Sequence, residues 1–284
     1  LAGAMLGSMP DRLAPQLASP VEKPPRTAGW LHEIKFDGYR TIAHIDRGSV
    51  KLITRSGLDW THRFGDLPGA FSTLPCTSAV IDGEIVVPDS KGISSFAALQ
   101  DALAEGAGNK LVFYAFDLVY LDGWDLTAAA LGDRKRLLAQ LLAGSVSAKS
   151  AIQYSDHIEG DGQPLYDHAS EIGLEGIVSK RISAPYTSGR SKTWTKAKAL
   201  TAGDFVIAGF TTSRAAEGLA ALGLAEWVDG SLFYRGKVGT GIDAPTQGLL
   251  QKRLEPLTDG AVPLEGGPKD MQWVRPVLSA HIQY

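Results

Sequence analysis

The chain has almost no cysteine. Cys76 is the only one among 284 residues, so no internal disulfide can form and a reducing cytosol suits it. No apolar run is long enough to cross a bilayer. The stretch 1–8 has neither the basic start nor the apolar core of a signal peptide, and Gly7-Ser8-Met9 reads as an expression-vector scar before a native Met9. Residues 1–8 are therefore set aside as vector-derived. The formal net charge is -3, which excludes the overall basic footprint of a protein that grips polyanions with its whole surface. A Walker A loop is missing too: Gly236-Lys237 is followed by Val238, where Ser or Thr would be needed, and Gly236 to Gly241 reads as a turn among short strands. The six histidines form no His-Glu-x-x-His pattern, so a zinc site is not expected.

What is present has the length for two domains and the composition of an ordinary globular chain. Pro10 to Arg26 is proline-rich and aperiodic, an extended lead-in expected to carry no chemistry of its own. Strand-like runs follow at Trp30 to Phe36, Tyr39 to Asp46 and Val50 to Thr54, with Asp37-Gly38 and Asp46 to Ser49 as links short enough for antiparallel neighbours. Phe64 to Leu74 predicts a short helix and Ser78 to Val87 a strand. Ser94 to Glu105 predicts a helix capped by its leading serines. Leu111 to Tyr120 is a buried-type strand, and Asp133 to Leu142 and Gly162 to Ile172 are amphipathic helices. Glu175 to Lys180 and Thr193 to Lys198 are further strands. This mixture is α+β, dominated by antiparallel strands. After Lys198 the texture changes to short Gly-broken strands, Asp204 to Phe210, Gly223 to Val228 and Ser231 to Val238, with a helix over Gln247 to Leu257, which suits a small β-barrel. The expected division is residues 9–200 and 201–284.

The charges fall in sets. Read as a strand, Trp30 to Asp37 places Leu31, Glu33, Lys35 and Asp37 on one face, and charges on a strand that also packs into a core must be paired or in use. The plainer alternative is a solvated edge strand ending in a hairpin turn. Asp82 and Glu84 share a face, as do Trp194, Lys196 and Lys198, and an acid opens and a base closes Glu175 to Lys180. Between Gly176 and Gly203 lie six basic residues and no acid, interleaved with Tyr186 and Trp194, which is either a solvated face or a phosphate site.

With these residues in view, Lys35-Phe36-Asp37-Gly38-Tyr39-Arg40 resembles motif I of the covalent nucleotidyltransferases, the superfamily of ATP-dependent DNA ligases, RNA ligases and capping enzymes. Five more motifs follow in the family's order: Arg55-Ser56-Gly57, Asp82-Gly83-Glu84, Phe116-Asp117-Leu118, Glu175 to Lys180 and Trp194 to Lys198. The flanks Trp30 to Glu33 and Thr54 to Thr61, with Lys237 to Gly241, are most similar to the ligase domain of bacterial ligase D enzymes.

The resemblance implies an antiparallel-sheet adenylation domain followed by an oligonucleotide/oligosaccharide-binding (OB) barrel. It implies that Lys35 attacks the α-phosphorus of ATP to give a lysyl-adenylate, that AMP passes to a DNA 5'-phosphate, and that a 3'-hydroxyl displaces it. Glu84 and Glu175 would lie near a divalent metal, Mg²⁺ or Mn²⁺, and the ribose. Arg40 and Arg55 would contact the ribose and the 5'-phosphate side, Phe116 would stack on adenine, and Glu33 would lie near its exocyclic amine. Ile177 completes the expected nucleotide contacts. Lys196 and Lys198 would neutralise the α-phosphate and, as nearby cations, disfavour the ammonium form of Lys35. Asp37 is either catalytic or a cap for its turn. The family's motif VI is not found after Trp273 to Ile282, so truncation and weaker self-adenylylation are expected. Nicked or broken duplex DNA, Ku and fused polymerase or nuclease domains are the expected partners, with a monomeric, non-membrane, nucleoid-associated protein. The alternatives are a capping-type guanylyltransferase, an RNA ligase, or a non-catalytic nucleic-acid-binding module.

Overall fold

The computed structural model describes residues 1–144, 150–199, 202–213, 218–239 and 242–283. Of the turn expected over Gly236 to Gly241, Gly236 to Val238 continue a strand, and Thr240-Gly241 lies outside the described residues. The chain divides into two compact units, Leu1–Ala199 and Leu200–Tyr284. In order, the first contains β1 (Met5–Leu6), β2 (Gln16–Pro20), β3 (Trp30–Ile34), β4 (Tyr39–Asp46), β5 (Ser49–Thr54), α1 (Leu67–Phe71), β6 (Ser78–Val86) and α2 (Phe96–Ala104). Then come β7 (Val112–Leu121), β8 (Trp124–Asp125), α3 (Leu131–Leu142), β9 (Ile152–Tyr154), β10 (Ile158–Glu159), α4 (Gln163–Glu171), β11 (Gly176–Arg181) and β12 (Gly189–Lys198).

These strands form two sheets. One is seven-stranded in the order β1-β8-β7-β6-β4-β5, with β9 also paired to β7, and the other is five-stranded in the order β10-β3-β11-β12-β2. Met5–Leu6, in the segment set aside from the sequence, pairs with β8. One core, built on Ile81, Ile85, Phe71, Phe113, Leu138 and Leu142, lies against the larger sheet. A second, with Ile42, Val80, Phe116, Tyr186 and Trp194, joins residues of both sheets, and α4 packs Tyr166 and Ala169 onto Ile177 and Ala197 of the smaller one.

Four sequence expectations change here. The Asp37-Gly38 link does not close a hairpin, because β3 and β4 belong to different sheets. Gly38 serves a close approach instead: a Cβ on it would stand 2.1 Å from the Ile85 carbonyl oxygen, so the chain passes tightly by β6 as it changes sheets. Nor is β3 a solvated edge, since it runs between β10 and β11 and buries Trp30, Leu31, His32 and Glu33. The lead-in is part of the smaller sheet: β2 pairs in parallel with β12, and the buried Gln16 side chain holds Thr193 and Thr187. Helix α3 begins earlier than expected and buries two of its three consecutive basic side chains, Arg134 and Lys135. Arg134 survives there because Asp117 takes its guanidinium at 2.8 Å through both oxygens, while the Ala129 and Ala184 carbonyls accept from its Nη1.

The second unit holds β13 (Ala202–Ser213), β14 (Gly218–Val228), β15 (Ser231–Val238), α5 (Ala244–Leu254) and β16 (Gln272–Gln283). The strands make an antiparallel sheet in the order β15-β14-β13-β16. Asp243 caps α5 by accepting the Thr246 N–H at 2.9 Å, and Leu254 joins Ile207, Phe210, Leu222 and Val274 in the core. Pro276 falls where the β13–β16 ladder shifts register, at an irregularity that tolerates a missing N–H. No helix among the described residues is long and apolar enough to cross a membrane.

Candidate functional site

Strand alternation assembles the site from the smaller sheet. Val178 pairs with Glu33 and with Lys196, and Lys180 pairs with Leu31 and with Trp194. One sheet face therefore carries Glu33, Val178, Lys180, Trp194 and Lys196 together, with Lys35 just past the end of β3. Lys35 N–H donates to the Gly176 carbonyl at 2.9 Å. Gly176 itself has φ +133°, and a Cβ on it would stand 2.1 Å from the Ala197 oxygen, so only glycine fits the bend that sets Glu175 beside Lys35. The Lys35 ammonium is ion-paired with the Glu175 carboxylate, and both are partly exposed.

The larger sheet supplies the rest. Arg40 on β4 is opposite Glu84 on β6. Phe116 occupies a β-bulge: Asp82 pairs with Asp117 and Gly83 with Ala115, leaving Phe116 as the extra residue, and such a bulge re-aims a side chain. Two adjoining cavities share Lys35, Phe36, Arg40, Arg55 and Glu84 as a common wall. One is the aromatic side, with Phe116, Trp194, Glu33, Lys180, Lys196 and Arg190; the other is the carboxylate side, with Glu175 and the Asp37–Tyr39 segment.

Arg40 is held in place before anything reaches it. Asp82, fully buried, takes its Nε and Nη2 at 2.6 Å each, the Gln16 carbonyl accepts from Nη2 at 3.2 Å, and Tyr186 donates to Asp82 at 2.6 Å. The guanidinium lies 4.3 Å from the Phe116 ring centre, and the Lys180 ammonium lies 4.2 Å from it, so the ring bears two cation contacts. Glu33 is buried and accepts three hydrogen bonds, which leaves Oε1 room for one more: Lys135 donates to Oε1 at 2.7 Å, and Lys180 and Ser155 donate to Oε2 at 2.8 and 2.9 Å.

Burial pushes the Glu84 carboxyl up to about 7, against the pull of Arg40 and Lys35 and with the help of the like charges of Asp82 and Glu175. Burial also lowers Lys196, reinforced by repulsion from Lys35. Glu84 and Glu175 are hard oxygen donors that repel each other, a donor set that fits Mg²⁺ or Mn²⁺. Among the described residues no group of three or more His, Cys, Asp or Glu side chains is poised for a metal. A cation held here would therefore be completed by water and by oxygens of a bound phosphate.

Of the residues expected from the sequence, Glu33, Lys35, Arg40, Arg55, Glu84, Phe116, Glu175 and Lys196 line the two cavities. Ile177 does not. It is fully buried on the opposite sheet face under α4, and Val178, one residue on, faces the cavity in its place. Lys198 also stands apart: its side chain is 67% exposed, 3.9 Å from Glu175, and lines a shallow basic hollow with Pro20, Val21, Arg190 and Lys196. Asp37 does not cap its own turn. Its Oδ2 accepts the Phe96 N–H at the start of α2 at 2.9 Å, where the expected Ser95 side chain makes no capping bond. Leu17, Ala18 and Arg190 are added to the cavity wall. Arg190 is visible in the basic tract, but nothing in the aperiodic lead-in marks Leu17 and Ala18.

The chain and its fold have parallels among known proteins. The family model described as ATP dependent DNA ligase domain matches residues 15–198, and that described as ATP dependent DNA ligase C terminal region matches residues 215–284. The chain is 39% identical to the multifunctional non-homologous end joining protein LigD of Pseudomonas aeruginosa, over 97% of this chain and 34% of that one. It is 34% identical to the Mycobacterium tuberculosis LigD, over 96% of this chain and 36% of the relative, so it spans about a third of the curated relatives' length. The crystal structure of the ligase domain from M. tuberculosis LigD superposes with TM-score 0.61 and 31% identity, covering 96% of this chain and 89% of that one. Mycobacterial DNA ligase D complexed with ATP and MES superposes with TM-score 0.59 and 30% identity, covering 96% and 89%. The two units are thus a nucleotidyltransferase domain and an OB-fold domain, and the chain belongs to the ATP-dependent DNA ligase family.

Proposed function

We propose that this chain is the ligase module of a bacterial end-joining enzyme, sealing 5'-phosphate/3'-hydroxyl breaks in duplex DNA through a lysyl-AMP intermediate. The observation that carries the reading is the place of Lys35, on the wall shared by an aromatic cavity and a carboxylate cavity and ion-paired with Glu175. A purine nucleotide whose base lies toward Phe116 and Trp194 puts its α-phosphate beside that amine. Lys35 Nζ, once deprotonated, forms the P–N bond as the P–O bond to pyrophosphate breaks, and the resulting phosphoramidate is reactive enough to pass AMP to a DNA phosphate. Lys196 and Arg55 offset the charge developing on the phosphate, and Arg40, locked by Asp82, meets the ribose without reorganising. Glu84 and Glu175 would hold Mg²⁺ or Mn²⁺, which neutralises charge on the phosphates.

The end-joining role is supported by the names of the relatives, and Ku and fused polymerase or nuclease domains are proposed as partners from the motif resemblance alone. The single cysteine and the DNA substrate support a place on the bacterial nucleoid. The test is incubation with labelled ATP and Mg²⁺ beside Lys35→Ala. An acid-labile, alkali-stable adduct formed only by the parent is expected; equal labelling of both would sink the assignment.

A further inference from the structure

Lys135 has no part in the chemistry just described, yet it is a fully buried ammonium in contact with a residue of the nucleotide cavity. It reaches from α3 to Glu33 Oε1 at 2.7 Å, donates a second bond to the Ser155 carbonyl at 2.8 Å, and lies 4.5 Å from the Tyr154 ring centre. Neither Lys135 nor Ser155 lines the cavity, whereas Glu33 and Lys180 do. Two cations therefore share one carboxylate, one from inside the cavity wall and one from behind it.

The charges sort accordingly. Burial alone would raise the Glu33 carboxyl, but Lys135, and then Lys180, outweigh it and the net shift is downward. Lys135 keeps its proton, its value raised by Glu33 against burial. Burial brings Lys180 down to about 8, against the attraction of Glu33 and with the repulsion of Lys135. Glu33 thus stays an ionised, acceptor-only group at the aromatic end of the cavity.

We propose that Lys135, assisted by Ser155, is a positioning residue for nucleobase selection, holding the Glu33 carboxylate from behind as an acceptor aimed at the six-position of a purine. This rests on the nucleotide reading of the cavity given above. Adenine carries an amine donor at that position and guanine a carbonyl acceptor, so a fixed carboxylate accepts from the first and repels the second. Released from Lys135, the carboxylate can turn wholly onto Lys180. The base then faces an ammonium that serves guanine O6 as readily as adenine N1, and discrimination falls.

The test compares adduct formation with ATP, GTP and purine riboside triphosphate, which lacks the exocyclic amine, in the parent, Lys135→Met and Ser155→Ala. The parent is expected to prefer ATP over both analogues. In Lys135→Met the ATP preference should fall by about tenfold or more, the size of a hydrogen bond to a charged group. The penalty for lacking the amine should nearly vanish, because the two losses remove the same interaction. Ser155→Ala should move both ratios the same way by a smaller factor, and it keeps the inference testable if the methionine variant does not fold. A merely structural Lys135 would lower labelling by all three nucleotides in proportion, so unchanged ratios in whichever variant folds overturn the inference. Absence of any adduct in the parent would instead overturn the nucleotidyl-transfer reading on which it stands.

Discussion

Asp37, two residues beyond the proposed nucleophile, accepts a hydrogen bond from the Phe96 N–H at 2.9 Å, and its own N–H donates to Ser94 Oγ at 3.0 Å. It thereby caps a helix from outside that helix. Asp37→Ala is expected to cost about 1 kcal/mol of stability, the size of a lost N-cap, while adduct formation per folded molecule stays close to that of the parent. Chemical denaturation beside labelling reads both quantities. A large loss of labelling at unchanged stability would give Asp37 a direct part in the chemistry.

The Arg40 clamp predicts a different balance. Asp82→Ala leaves a guanidinium without its carboxylate in a buried place and should destabilise by about 3–5 kcal/mol, and the folded remainder should bind nucleotide poorly. Tyr186→Phe removes the hydroxyl that donates to Asp82 and accepts the buried Gln16 N–H at 3.0 Å, about 1 kcal/mol for each bond, without breaking the ion pair. It should therefore raise the KM for ATP modestly and lower the melting temperature by less than Asp82→Ala does. Equal damage by the two changes would contradict this division.

Removing one partner of Lys35 tests the carboxylate side. Glu175→Gln is expected to lower the rate of adduct formation by about 10² or more while leaving the fold intact, since both side chains are partly exposed. Chelation of divalent cations should have a similar effect on the parent and little further effect on a Glu84→Ala, Glu175→Gln double variant. Stopped-time labelling with and without chelator measures both.

Lys180 gives a pH dependence. Its folded value of about 8 lies below the usual 10.5, so between those values the unfolded chain binds a proton that the folded chain does not. Its contribution to stability therefore becomes more favourable as pH rises through that window, and its penalty is fully present below about 8. Lys180→Met removes the term. The melting temperature of the variant relative to the parent should be most favourable below pH 8 and should fall between pH 8 and 10.5. The opposite trend would mean that Glu33 holds the Lys180 proton more tightly than an unfolded chain does.

Much of this was legible in the sequence because short-range rules suffice for it. Alternation alone places Glu33 with Lys35 and Trp194 with Lys196, and the spacing of Glu175 and Lys180 implies a strand between them. The Ile177 contact is implied by the family resemblance, whereas alternation sets Ile177 on the face opposite Val178 and Lys180, where α4 covers it. Sequence patterning is silent about partners far off in the chain. Lys135 shares its helix face with Leu131, Leu138 and Leu142, so its burial could be inferred, but its 102-residue reach to Glu33 could not. The hairpin at Asp37-Gly38 fails because turn chemistry describes the link and not the sheets it joins. Gly38 answers to the carbonyl of Ile85 instead.

The pairing of β2 with β12 bears on how the protein is made. Ser19 meets Ser191 across a sequence separation of 172, and Gln16 meets Thr193 across 177. During synthesis the lead-in therefore waits, without its sheet partner, until nearly the whole first unit has left the ribosome, and a contact of such high order is slow to form. The wall bearing Leu17 and Ala18, and the Gln16 carbonyl that helps fix Arg40, close last. A nascent chain interrupted before β12 keeps Lys35 but has no finished pocket in which ATP could reach it.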